Sequence, residues 1–240
     1  MAIEAVYLDL LKQVIDKVKT EKAKDSADVL CVSYPDLLVT QAVMDHILGS
    51  AATSGLSGRA DAAKIWSWHG LSGCSEPLYE TLDVFRRLNL FVDIVDIAKA
   101  RGFEKIVDLN CPLPKEFMRK YDIVIDTGTC EHCFNVGQAF VNCCDSVCAG
   151  GYFIHAAPLT KPNHGFWNFS PTAYPDFFGD NGFSISFIAG VKGSLRDGLT
   201  TFDLDLFSRE QLPSEAMVYV VAQREHMQDL AWPIQRKYRS

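Results

Sequence analysis

The sequence has no apolar run approaching ~18 residues, the length a membrane-crossing helix requires, so no transmembrane span and no membrane partner are expected. It lacks a basic start leading into a continuous apolar middle, so residues 1–18 do not read as a secretory signal and a cytoplasmic location is the expectation. Neither the glycine-lysine phosphate loop nor the GxGxxG dinucleotide turn is present, which removes two common backbone cradles for phosphate. Positive charge is short as well: 23 basic residues face 30 acidic ones, for a formal net charge of -7. Affinity for long nucleic acid rests on neutralising phosphates, so nucleic acid is not an expected partner. There are no internal repeats and no low-complexity tracts. A zinc site normally needs two well-spaced ligand pairs. Cys130 and Cys133 have CxxC spacing, but Cys143, Cys144 and Cys148 downstream fall in a helical pattern. In a reducing compartment the eight cysteines read as free thiols packed as small hydrophobes, and no metal ligand set is assigned.

What is present is an ordinary globular composition, 48% hydrophobic and 22% charged, in 240 residues that fit one large domain. Residues 1–20 carry Val6, Leu10, Leu11, Val14 and Val18 at helical spacing. Short apolar runs bounded by breakers then predict strands near residues 28–33, 90–97, 105–110, 121–126, 152–157, 183–189 and 216–223. Helices are expected over 37–48, 76–88 (with Ser75 as N-cap and Pro77 in the first turn) and 136–147, the last closed by Gly150-Gly151. Alternation of this kind predicts an α/β fold: a doubly wound, mainly parallel seven-stranded sheet with helices on both faces, in a single domain over 1–240. Residues 49–75, rich in glycine and serine around Trp66, Trp68 and His69, read as a lid-like insertion that covers either an active site or a neighbouring subunit. The N-terminal helix and the Trp66–His69 segment are the two candidate surfaces for a homodimer. Residues 159–178 form a polar and aromatic excursion, 190–213 a charged linker, and 232–240 a basic tail.

Three of the expected strands end in carboxylates or amides: Asp96, then Asp108 with Asn110, then Asp126. In an open α/β sheet the carboxyl edge is where ligands bind. Side by side, these groups form a row of acceptors suited to ribose hydroxyls and an exocyclic amine. Each acid taken alone is equally a strand-end residue satisfied by a neighbouring turn.

The stretch "YDIVIDTGTCEHCFNVGQAF", the "GGYFIHAAP" that follows and "HGFWNFSPTAYPDFF" beyond it resemble the class I S-adenosylmethionine-dependent methyltransferases. The resemblance is strongest to members that tailor small molecules and saccharides, and it runs over about residues 90–183. It implies a Rossmann-like methyltransferase fold, S-adenosylmethionine as cofactor and a small-molecule substrate. It would give Asp96 the ribose hydroxyls, Asp108, Leu109 and Asn110 the adenine edge, and Asp126, Thr127, Gly128 and Thr129 the methionine part. One departure stands out. The family's first strand runs into a glycine-rich loop, whereas here Ser33 is followed by Tyr34-Pro35-Asp36, so side chains of Ser33 and Tyr34 would stand beside the cofactor. The long excursion before the second strand also departs from the family's spacing.

Methyl transfer asks for in-line alignment and, for a hydroxyl acceptor, a general base. Histidine suits that work near neutral pH. His132, in the Glu131-His132 pair, and His164, in the aromatic excursion, are the candidate bases. Each is also readable as a turn or helix-start residue bonded to backbone, and His155, at a strand centre, reads as core. Glu131, Trp68, His69, Phe166 and Trp167 are the candidate substrate contacts, although the last two would equally cover an open sheet edge. The activity expected is methyl transfer to a hydroxyl of a saccharide or natural-product intermediate. The alternative is a non-catalytic binding or scaffolding protein on the same fold, with the glycine-free loop as its mark.

Overall fold

The structure is a computed structural model, and it describes residues 2–196, 198–205 and 212–239. A two-residue strand, β1 (Ala2–Ile3), leads into helix α1 (Ala5–Glu21). The Glu4 side chain caps α1 by accepting from Val6 N and Tyr7 N at 2.7 and 2.9 Å. Next come β2 (Ala27–Val32), β3 (Asp36–Leu37), α2 (Gln41–Leu48), α3 (Ala62–Trp68) and α4 (Thr81–Arg87). The chain continues through β4 (Leu90–Asp96), β5 (Lys105–Ile106), β6 (Tyr121–Asp126), α5 (Val136–Ser146), β7 (Val147–Pro158) and α6 (Ala173–Asp180). It ends with β8 (Phe183–Ser194), β9 (Gly198–Phe202) and β10 (Met217–Arg224).

The main sheet has eight strands in the order β5-β4-β2-β6-β7-β10-β8-β9, and β1 with β3 forms a separate parallel pair. β5 through β7 run parallel, β10 is antiparallel to both β7 and β8, and β9 is antiparallel to β8. From β2 the chain builds outward to β4 and β5 on one side, then crosses to β6 and β7 on the other. The crevice above the carboxyl ends of β2 and β6 is therefore the point where the winding reverses, the usual ligand position in such sheets.

Period-two alternation in the central strands explains why both faces are covered. Val29, Cys31, Ile123 and Ile125 face the layer of α1, α2 and α4. Leu30, Val32 and Val124 face the layer of α5 and α6, where Phe140, Tyr174 and Phe178 lie. All six residues of β6 are buried, as its continuous apolar run implies.

Several expectations need correction. The sheet has eight strands, not seven, because β8 continues to Ser194 and hairpins into β9 within the stretch read as a charged linker. Its glycines are packing residues: a Cβ on Gly190 would stand 2.1 Å from the Phe202 ring, and one on Gly193, at φ +108°, would stand 2.2 Å from Gly198 O. Residues 197 and 206–211 of that linker, and residue 240 of the basic tail, lie outside the described residues. The strand expected over 105–110 shortens to two residues, because Asn110 turns its backbone N–H and its side-chain amide onto Asp108 Oδ1. The 76–88 helix starts only at Thr81; ahead of it Leu78 O accepts from Arg59 N, and Ser75 caps nothing. The first residues of the expected 37–48 helix belong to β3, and Thr40 caps α2. Gly150-Gly151 lies inside β7, where a Cβ on Gly151 would meet Tyr121 O at 2.9 Å. The excursion contains α6, and the lid-like segment contains α3, tied by Trp66 Nε1 donating to Glu76 O. Among the described residues no helix is long and apolar enough to cross a membrane.

Candidate active site

The carboxyl ends of the central strands are held level by register. Val32 is opposite Val95 on one side and Asp126 on the other, and Asp126 is opposite His155. Asp126 is fully buried. Its Oδ1 accepts from Gly128 N at 3.1 Å and Thr129 N at 2.7 Å, and its Oδ2 meets His155 Nδ1 at 2.9 Å. Burial opposes its charge, but the hydrogen bond and charge of His155, with the Thr129 N–H, hold the carboxyl below the ordinary range. Asp126 therefore organises the turn after β6 and lines neither cavity described below. Thr129 Oγ1 then donates to Val32 O at 2.9 Å, which ties that turn to β2.

Two cavities open at this edge. The first, of about 550 Å³, gathers Ser33, Tyr34, Asp96, Asp108, Leu109 and Asn110 from three separate segments, with Trp68 and His69 of the lid-like segment opposite. Ser33 has φ +66° and donates its N–H to Val95 O, and this turn carries the glycine-free loop outward. Tyr34 stacks on Phe103 with 6.1 Å between centroids. Arg101 closes the wall: its guanidinium lies 4.8 Å from the Trp68 ring and 5.7 Å from the Tyr34 ring, and Nη2 donates to Asp36 Oδ2 at 2.6 Å. Burial works against charge on Asp36, but His69 and Arg101 bring its carboxyl below the usual range. Arg101 Nε remains buried without an acceptor. At the far end Asp108, exposed and bonded by Asn110, also sits low, and Asn110 ties this edge to α5 by accepting from Asn135 N at 2.9 Å.

The second cavity, of about 720 Å³, is lined by Thr127, Gly128, His164, Lys161 and Tyr219 among others. His69 and His132 line both cavities. At this junction the His132 and His164 rings stand 5.4 Å apart. Glu131 lies behind them, fully buried, with Oε1 3.6 Å from His164 Nε2 and 3.9 Å from His132 Nε2. The backbone makes room for it: a Cβ on Gly128 (φ +104°) would stand 2.9 Å from Glu131 Oε1, and one on Gly165 would stand 2.9 Å from Glu131 Cγ.

Two of the aromatic candidates lie elsewhere. Phe166 and Trp167 pack against Phe134 on the outer surface, Trp167 Nε1 donating to Cys133 O and Phe134 O, and they line neither cavity. His155 is enclosed by Phe140, Phe153 and Phe169. All eight cysteines are unlinked. Burial pushes the Cys133 thiol, at the edge of the first cavity, up to about 12, so it carries no thiolate near neutral pH. Sequence reading passed over Arg101 and Lys161. An Arg-Gly pair soon after the acidic end of a strand was the available signal for Arg101; Lys161 offered none.

No protein-family model matches the chain, and no curated protein matches it. Among solved structures it is similar to the Burkholderia thailandensis 1,6-didemethyltoxoflavin-N1-methyltransferase with bound 1,6-didemethyltoxoflavin and S-adenosylhomocysteine. That likeness has 12% identity, covers 89% of this chain and 77% of the other, and has a TM-score of 0.43. TehB from Haemophilus influenzae is similar at 13% identity over 87% of this chain and 61% of the other, with a TM-score of 0.40. A SAM-dependent methyltransferase from Thermotoga maritima is similar at 11% identity over 90% and 92%, with a TM-score of 0.36. These likenesses are remote, and the chemistry rests on the site's own geometry.

Proposed function

We propose that the protein is an S-adenosylmethionine-dependent methyltransferase acting on a hydroxyl of a small polar molecule such as a saccharide or natural-product intermediate. The observation that carries this reading is the pair of cavities meeting at His69 and His132 above the reversal point of the sheet. A group-transfer enzyme needs one cavity for donor and one for acceptor, with a shared wall where they touch. The first cavity has a volume ordinary for a small-molecule site, and its chemistry fits the donor. Asp96 stands at a strand end to accept from ribose hydroxyls. Asp108, Leu109 and Asn110 offer an edge for adenine, and the free Arg101 N–H suits the methionyl carboxylate. Tyr34 and Ser33 take the place of a glycine cradle. S-adenosylmethionine, when bound, supplies an activated methyl group on a sulfonium.

What remains for the chain is positioning and proton removal. The segment bearing Trp68 and His69 serves as a lid over the first cavity and excludes water. Thr127 and Gly128, with Glu131 behind them, shape the floor of the second. His132 and His164 are placed to accept the hydroxyl proton there, a contribution of roughly 10²–10⁴-fold.

Calorimetric titration with S-adenosylmethionine and S-adenosylhomocysteine tests the reading. Saturable heat is expected, weakened at least a few-fold by Asp96→Ala. His132→Ala and His164→Ala should leave that affinity nearly intact while lowering release of S-adenosylhomocysteine across a panel of hydroxylated acceptors. Folded protein giving no heat up to millimolar ligand would leave the scaffolding alternative in its place.

A further inference from the structure

Glu131 is out of keeping with an ordinary core. It is fully buried, and neither carboxylate oxygen has a hydrogen-bond partner. Buried carboxylates in proteins are paired or coordinate metals, because an isolated one is expensive to keep ionised. The chain nonetheless builds a fitted slot for this side chain, with Gly128 and Gly165 on either side and Phe166 N donating to the Glu131 carbonyl at 2.9 Å. Two imidazoles converge on the same oxygen, His164 Nε2 at 3.6 Å and His132 Nε2 at 3.9 Å, and the three donor atoms all lie within 4.8 Å of one another.

We propose that Glu131, His132 and His164 form a binding site for one divalent first-row transition cation on the wall of the second cavity. The dimensions suit it. Metal–nitrogen and metal–oxygen bonds of about 2.1 Å set neighbouring ligands about 3.4 Å apart around a tetrahedral ion. The two observed N···O separations need to shorten by half an ångström or less. The histidine side chains, 44% and 42% exposed, are free to make that adjustment, while the carboxylate is fixed. Two imidazole nitrogens and one carboxylate oxygen select zinc, iron(II), cobalt(II) or manganese(II) over the all-oxygen sets of magnesium and calcium. The protein supplies three ligands, and both histidines line the cavity, so the remaining positions face the acceptor space.

Only the catalytic consequence rests on the methyl-transfer reading. A hydroxyl bound to such a cation loses its proton more readily. With the ion in place His132 and His164 act as ligands, the proton of the bound hydroxyl passes to solvent water in the cavity, and the resulting alkoxide takes the methyl group as the bond from that methyl to the sulfonium sulfur breaks.

The test begins with chelator-stripped protein titrated with Co²⁺ and Zn²⁺ by calorimetry and by visible absorption. One equivalent should bind at micromolar affinity or tighter, with d–d bands of a nitrogen–oxygen site. His132→Ala and His164→Ala should each weaken binding at least 10-fold, and Glu131→Gln should do the same. Circular dichroism of the histidine variants should match the parent. Loss of binding with an unchanged fold supports the site. No binding up to millimolar metal, affinity unchanged in both histidine variants, or intense thiolate-to-cobalt bands reporting the buried Asp126–Cys130–Cys143 cluster would each overturn it. S-adenosylmethionine titration of the stripped protein keeps the two readings separate. Cofactor heat without metal heat defeats this inference alone, and metal heat without cofactor heat defeats the methyl-transfer reading alone.

Discussion

Replacing His155 with phenylalanine isolates the buried pair beneath the site. His155 and Asp126 are both fully buried, with 2.9 Å between Nδ1 and Oδ2. The imidazole already sits among Phe140, Phe153 and Phe169 at centroid distances of 5.0–5.4 Å, so a phenyl ring occupies the same box with little repacking. What is lost is the partner of the Asp126 carboxylate. Removing one member of a buried ion pair costs about 3–5 kcal/mol. Asp126 keeps the Gly128 and Thr129 N–H donors, which places this case near the lower end, at about 3 kcal/mol. For a chain of this length, each kcal/mol moves the Tm by about 2–4 °C, so a fall of about 6–12 °C is expected at neutral pH. The pH dependence carries a definite sign. In the parent the Asp126 carboxyl is held low, so its contribution is present above the ordinary carboxylate range and is lost as pH falls through its depressed native value. In His155→Phe, burial acts with less to oppose it and raises that value. Protonation then relieves the buried charge, and the deficit should shrink between pH 7.5 and pH 4.5. Adding Asp126→Asn should recover part of the loss. Thermal melts followed by circular dichroism at both pH values test this. A fall under about 2 °C at neutral pH, or a deficit that widens on acidification, would refute the reasoning.

Gly165→Ala forces a methyl group to within 2.9 Å of Glu131 Cγ and Glu131 O. Overpacking there should lower stability by about 1–3 kcal/mol in urea unfolding while far-ultraviolet dichroism stays native. Asp122, at the start of β6, receives Lys22 Nζ and Asp28 N at 2.8 Å, with Lys24 also bonded. Burial opposes its charge, while Lys22, Lys24 and the Asp28 N–H hold its carboxyl low. Asp122→Asn should therefore cost about 1–3 kcal/mol at pH 7, measured by urea midpoint. The gap to the parent should close as pH falls through the depressed native value of Asp122.

The central sheet was legible because its strands announce themselves. Buried runs such as Ile123–Val124–Ile125 have nowhere else to go, and the acids at Asp96 and Asp126 mark their carboxyl ends. Gathering Ser33, Tyr34, Asp96 and Asn110 around one cavity follows from strand order, which alternation of elements suggests. Side-chain orientation is another matter. Asp126 and Asp96 look alike in the sequence, yet Asp126 is drawn inward because His155, on the neighbouring strand, presents Nδ1 to it. That pairing depends on register between β6 and β7, which is not written in either segment alone. Phe166 and Trp167 failed to enter a cavity for a similar reason: the Phe166 N–H bond to Glu131 O turns the loop so that the rings meet Phe134. The β9 hairpin was hidden because glycine and charge describe an exposed edge strand as well as they describe a linker.

β10 is the last strand of the described chain, yet it lies between β7 and β8 and pairs along both. During synthesis, the parallel half that carries the first cavity emerges first and waits with β7 unpaired on one side. β8, arriving next, has no strand partner in that half; it pairs with β9 and packs against α6. The bare edges of β7 and β8 are templates for wrong pairing until residues 217–224 are delivered. Arg224, fully buried, then donates to Cys144 O at 3.2 Å and Val147 O at 3.0 Å, at the junction of α5 and β7. Completion of the fold is thus a late event in the life of each chain, and the first cavity takes shape before the sheet that supports the second is closed.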